Sequence, residues 1–181
     1  MKRITGLCLL LLLVFACENE SDTTFTITRD QVGRVTKKTT FAELDQVFSQ
    51  DSIVKGSAAD ALGISPGKIE VFEKGGKHLL SITPTKDSIP LIENIRIHDP
   101  RYKTTEGITI QSTFKDIKDR FTIKKVLTSM KNVVVLIKDH DLYFTISKEE
   151  LPAELRFGSN EIDAVQIPDQ AKIKYMMVGW N

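Results

Sequence analysis

Apolar and polar positions fall into distinct regimes along this chain, and the first regime occupies its start. Ile4 to Ala16 is almost wholly apolar, with Met1-Lys2-Arg3 in front and Glu18-Asn19-Glu20 behind. A run of about 13 apolar residues is shorter than the roughly 20 that a membrane-crossing helix needs. Its positive start and abrupt polar end match a cleavable export signal over residues 1–16. Residues 18–28 are polar and acidic with little to bury, so they predict a flexible tether.

From Thr40 onward the pattern changes to short elements separated by turn residues. Thr40-Phe41-Ala42-Glu43-Leu44 followed by Phe48 is matched by Thr113-Phe114-Lys115-Asp116-Ile117 followed by Phe121. Each segment predicts a helix whose threonine caps the first turn, with an acid three residues on to complete a capping box. Apolar residues at i, i+3 and i+7 share one face, and Lys115 to Asp119 and Asp116 to Arg120 make i, i+4 ion pairs on the other.

A hairpin follows each predicted helix. Ile69 to Glu73 and Leu79 to Ile82 flank Lys74-Gly75-Gly76-Lys77, whose glycines accept the positive φ of a tight turn. Val133 to Ile137 and Leu142 to Ile146 flank Lys138-Asp139-His140-Asp141 in the same way. The first half carries extra chain, predicted as a capped helical turn over Ser57 to Gly63 before the Pro66-Gly67 bend. Alternating strands over Ile92 to Ile97 and Ile173 to Val178 close the two halves, and short strands near Phe25 to Thr28, Gly33 to Thr36 and Gly107 to Ile110 lead into the helices. The expected fold class is α+β: two β-α-β-β-β pseudo-repeats, at about 29–100 and 101–181, forming antiparallel sheet packed against helices in a single domain over 29–181.

Composition narrows the chemistry. Of two cysteines, Cys8 leaves with the signal and Cys17 is the first residue after it. The body therefore has no disulfide scaffold, thiolate metal site or cysteine nucleophile, and its core must hold it together. Once Lys2 and Arg3 are removed, 23 basic residues face 24 acidic ones, which gives neither a nucleic-acid footprint nor a basic membrane patch.

The junction Val14-Phe15-Ala16-Cys17 resembles the processing site of bacterial lipoproteins, with Phe15 bulkier than the usual occupant. That resemblance implies lipid on Cys17, residues 17–28 as a lipidated N-terminus and tether, and anchoring in the cell envelope, at the outer membrane, on a periplasmic or surface face that is left open. The competing expectation is ordinary signal cleavage after Ala16 with Cys17 bare. The acids after Cys17 also resemble the surface-export signal of some Bacteroidetes-type lipoproteins, although a plain solvated linker accounts for them. The stretch Asp99-Pro100-Arg101-Tyr102-Lys103-Thr104-Thr105-Glu106-Gly107-Ile108, running into Thr113-Phe114, resembles a segment of uncharacterised envelope lipoproteins of that type. The helix-then-hairpin order is more remotely similar to the repeats of the beta-lactamase inhibitor protein and of the small lipoprotein of the barrel-assembly machine. Those proteins bind other proteins, so the resemblance implies binding rather than catalysis.

Candidate reactive residues are sparse. His78, His98 and His140 lie far apart in sequence and form no i, i+4 ligand pair. Counting a calcium loop from Asp139 puts Glu150 at the last ligand position, but Tyr143 replaces an oxygen ligand and Phe144 the required glycine, so the segment predicts a hairpin turn. His98 and Asp99 are adjacent and should point to opposite sheet faces. Arg96, His98, Arg101, Tyr102 and Lys103 form the densest basic and aromatic group, suited to an anionic glycan or acidic partner if they share a surface. A solvated strand end is the simpler account. Trp180 is expected to pack against the last strand more than to stack on a ligand. No nucleophile elbow, phosphate loop or dinucleotide fingerprint occurs, and no catalytic residue, metal site or cofactor is predicted. The expectation is a non-catalytic module binding an envelope protein or polymer. Its alternatives are a glycan or cell-wall hydrolase built on paired carboxylates and a structural spacer.

Overall fold

The computed structural model describes residues 23–56, 67–157 and 161–180. The signal, Cys17, the start of the tether and the helical turn expected over Ser57 to Gly63 lie outside the described residues. Chain order runs through β1 (Thr26–Ile27), β2 (Gln31–Val32), β3 (Val35–Thr36), a 3-10 turn at Phe41–Glu43 continued by α1 (Leu44–Val47), β4 (Ser52–Lys55), β5 (Ile69–Phe72), β6 (His78–Pro84) and β7 (Ile92–Ile97). It continues through β8 (Lys103–Thr104), α2 (Phe114–Arg120), β9 (Ile123–Thr128), β10 (Asn132–Ile137), β11 (Leu142–Ser147), α3 (Ala153–Arg156) and β12 (Ile173–Gly179).

Eight strands form one sheet in the order β4-β5-β6-β7-β12-β11-β10-β9, antiparallel at every pairing. Each half is a four-strand meander, and the two last strands, β7 and β12, meet at the seam with Ile97 opposite Met176 and Ile95 opposite Val178. The α+β expectation holds at this level, with antiparallel sheet dominant and the helices short.

Two strands of the large sheet were not anticipated. Each helix feeds directly into an edge strand, β4 after α1 and β9 after α2, so each half has four sheet strands instead of three. The leading strands are elsewhere. The β2–β3 hairpin and β1 form a small sheet that β8 joins parallel to β1, with Thr26 opposite Lys103. Gly107 to Ile110, expected as strand, is a turn: the Gly107 amide donates to Thr104 O at 2.9 Å, and Gly107 takes φ 88°. Gly33 turns the β2–β3 hairpin at φ 57°, where a Cβ would lie 2.5 Å from Thr24 O and 3.0 Å from the Tyr102 ring. That position admits only glycine without backbone adjustment.

Alternation along the strands puts Ile69, Val71, Leu80, Ile82, Ile95, Ile97, Val133, Val135, Phe144, Ile146, Met176 and Val178 into the core. Leu44 and Phe48 from the first helical segment, Phe114 and Ile117 from α2, and Ile27, Val32 and Val35 from the small sheet belong to the same cluster. The short helices persist because their first turns are satisfied. Thr113 Oγ1 accepts the Asp116 amide at 3.4 Å while Asp116 Oδ2 accepts the Thr113 amide at 2.9 Å. In the first segment Glu43 Oε2 accepts the Thr40 amide at 2.7 Å. Replacing Thr113 with alanine is expected to lower unfolding free energy by about 1 kcal/mol, with Thr113→Ser near wild type, as read from urea midpoints.

Candidate functional site

Residues directly opposite one another in a sheet share a face. The register Glu70–Ser81–Arg96–Met177–Tyr143–Leu136–Lys125 therefore runs across seven strands on the side opposite the core. This outward face is half-exposed at Glu70, Arg96, Met177, Tyr143 and Leu136.

At its β5–β6–β7 end, Glu70, His78, Ser81 and His98 come together. Glu70 Oε2 lies 2.9 Å from His78 Nε2 and accepts the Ser81 hydroxyl at 2.5 Å. Ser81 Oγ is also 2.7 Å from His98 Nε2. The two imidazoles stack with centroids 3.7 Å apart, and Phe72 stacks on the outer side of His78 at 4.6 Å. Lys68 Nζ takes the second carboxylate oxygen, Glu70 Oε1, at 2.6 Å.

Backbone register builds this group. Glu70 pairs with Ser81, the β5–β6 bulge at Phe72 sets His78 opposite Phe72, and the His98 amide donates to Leu79 O at 3.0 Å. Burial, then His78 and Arg96, holds His98 down at about 4, so its ring is neutral at pH 7. Burial would raise the Glu70 carboxyl, but hydrogen bonds from Lys68, Ser81 and His78 outweigh it and keep the group below its usual range. Ser81 is 2 % exposed, and Glu70 binds the serine rather than the far side of His98. This is not the order of a nucleophile, base and orienting acid.

Farther along the same face, the Arg96 guanidinium lies 3.6 Å over the Tyr175 ring, and Asn94 Nδ2 donates to Tyr143 Oη at 2.5 Å. Burial raises the Tyr143 phenol. Gly179 keeps this corner open, since a Cβ there would meet the Tyr143 ring at 3.3 Å.

The basic and aromatic group singled out in the sequence does not share a surface. Arg96 and His98 are on the outward face, whereas Tyr102 is buried at 2 % exposure against Phe25. Arg101 is spent on ion pairs. It donates through Nε and Nη2 to the fully buried Asp99 at 3.0 and 2.7 Å, and to both oxygens of Glu73 at 2.9 Å. Lys77 Nζ adds a contact to Asp99 at 3.0 Å. Burial would raise the Asp99 carboxyl, yet hydrogen bonds from Arg101 and Lys77 hold it at about 2. His98 and Asp99 share no hydrogen bond: His98 contacts Ser81 and His78, and Asp99 contacts Arg101 and Lys77.

His140 sits apart from the other histidines, edge-on to Phe121 at 5.2 Å, in a hairpin turn where Asp139 takes φ 59°. Trp180 is packed into the core at 4 % exposure, and its amide donates to Glu93 O at 2.8 Å. The sequence reading missed the Glu70–His78–Ser81–His98 group because its members come from three strands. The available signal was the hairpin register: counting back from Gly75-Gly76 aligns Glu70 with Ser81.

The chain matches no protein-family model and no curated protein. A solved structure with the same overall fold is that of the uncharacterized protein yfeY from Escherichia coli. It is 15% identical, with a TM-score of 0.57 over 85% of this chain and 99% of that chain. At that identity the similarity establishes a shared fold and carries no activity from one protein to the other.

Proposed function

We propose that this chain is a lipid-anchored cell-envelope protein, held at the outer membrane through Cys17, whose domain is a non-catalytic binding module for another envelope protein or polymer. The observation that carries the reading is the outward sheet face. It sets Arg96 on Tyr175, Asn94 on Tyr143 and the Glu70–His78–Ser81–His98 group along one continuous, half-exposed surface. Aromatic rings with adjacent hydrogen-bonding groups on rigid strands suit recognition, because little order is lost on binding.

The hydrolase alternative has less support. Glu43, Glu70, Glu73, Asp99, Glu106 and Asp116 all have carboxyl groups displaced downward, whereas a general acid working near neutrality needs one displaced upward. The architecture also agrees with a duplication. Both meanders follow a capping box, and the bridges Thr40 to Leu91 and Thr113 to Lys172 tie both helix starts to the chain entering the last strand. In this reading the units are helix-plus-four-strand copies within one domain.

Two measurements test the proposal. Mass spectrometry of the N-terminal peptide from envelope fractions should find lipid on Cys17, and Cys17→Ser should move the protein from the membrane pellet to the soluble fraction; an unmodified Cys17 sinks the anchor. Affinity capture should recover a specific envelope protein or glycan that is lost with Arg96→Glu or Tyr143→Ala. Equal capture by these variants, or glycan cleavage by the purified protein, overturns the binding role.

A further inference from the structure

We infer that Glu70, His78 and His98 form a zinc site on the outward face, with Ser81 orienting its carboxylate ligand. One donor atom from each of the three residues lies within 4.8 Å of the other two. Donors on one tetrahedral zinc ion, bonded at about 2.0–2.2 Å, stand roughly 3.3 Å apart, so side-chain rotations close the set without moving the sheet. Glu70 Oε2 and His78 Nε2 are already 2.9 Å apart.

The surroundings supply what such a site requires. The Ser81 hydroxyl touches both Glu70 Oε2 and His98 Nε2, and on metal binding it can remain on the carboxylate as the group that fixes its direction. Phe72 stacks on His78, and the two imidazoles turn out of their mutual stack to direct ring-nitrogen lone pairs at one ion. Lys68 engages Oε1 alone, which leaves Oε2 as a single-oxygen ligand facing the imidazoles. Glu70 and His78 are each about 30 % exposed at the side chain, so an ion can enter from solvent.

Two imidazoles and one carboxylate favour zinc over magnesium or calcium, which take oxygen ligands. Three protein ligands leave a fourth position for water or a donor group. The Lys68 charge opposes a dication, so moderate affinity is expected. The site lies on the outward face proposed above for binding, and zinc binding by the purified chain is read without the anchor or a partner, so failure of one reading is distinguishable from failure of the other.

Zinc titration of the full chain in detergent, followed by calorimetry, is expected to show one zinc ion bound per chain at micromolar concentration, uncontested by millimolar magnesium. Cobalt substitution should give the visible absorption of a four-coordinate centre. His78→Ala and His98→Ala should abolish binding, Ser81→Ala should weaken it roughly tenfold, and His140→Ala should leave it unchanged. Far-ultraviolet circular dichroism and metal-free melting establish that each variant is folded. Absence of zinc binding by the wild-type chain, or wild-type affinity in a folded His78→Ala or His98→Ala variant, overturns the assignment.

Discussion

Truncating Phe144 to alanine is expected to lower unfolding free energy by about 3–5 kcal/mol. Phe144 is fully buried in β11, opposite Val135 on one side and Met176 on the other, with the Phe121 ring 6.5 Å away. It joins strands to the end of α2, so its loss opens a cavity between two layers that cannot close without moving the sheet. Phe144→Leu keeps most of the volume and should cost about 1 kcal/mol. Leu80 occupies the related place in β6, between Val71 and Ile97. Leu80→Ala should cost about 2–5 kcal/mol. Because β7 and β12 join the two meanders into one sheet, both variants should show a single urea transition by fluorescence and circular dichroism. A two-step transition in either would show that the halves unfold separately.

The second large effect is expected at Asp99. Its carboxylate is wholly buried just beyond the end of β7, and Arg101 and Lys77 reach it from the surface. Its folded-state pKa, about 2, lies below the 3.8 of an unperturbed aspartate. The carboxylate therefore stabilises the fold by about 2 kcal/mol above pH 4, and that contribution is lost as pH falls toward 2. Asp99→Asn should remove it at pH 7 and flatten the stability profile between pH 4 and 2. Arg101 and Lys77 are more than a third exposed, so the released cations regain water and the cost stays below that of stripping a fully buried pair. Guanidinium unfolding at pH 7 and pH 2.5 measures both quantities; an unchanged acid profile in the variant would assign the acid sensitivity to other groups.

Legibility in the sequence followed how local each feature is. The capped helices at Thr40 and Thr113, the hairpins at Gly75-Gly76 and Lys138 to Asp141, and the strands ending at Ile97 and Gly179 all depend on neighbours within a few residues, and all were foreseen close to their observed bounds. The edge strands were not. Ser52-Ile53-Val54-Lys55 is largely exposed, and β9 carries Lys124-Lys125, a charged pattern that guards an open sheet edge and erases the alternation that marks a half-buried strand. The expected strand at Gly107 to Ile110 failed for a related reason. Ile108 and Ile110 pack into or against the core from a non-strand segment, and the pairing partner of β1 lies earlier, at Lys103–Thr104.

The sequence by itself determined the absence of a cysteine framework after Cys17 and the α+β class, because these depend on composition and on the period of apolar residues. Tertiary structure alone decided which charged groups are used up and which are available. Arg101 and Tyr102, adjacent to the outward face in sequence, are consumed by Asp99 and the core, while Glu70, His78 and His98 converge from three strands. The physical reason is that strand register, fixed by many backbone hydrogen bonds and one bulge, brings residues 8 and 20 positions apart into contact. Local propensity carries no record of that distance.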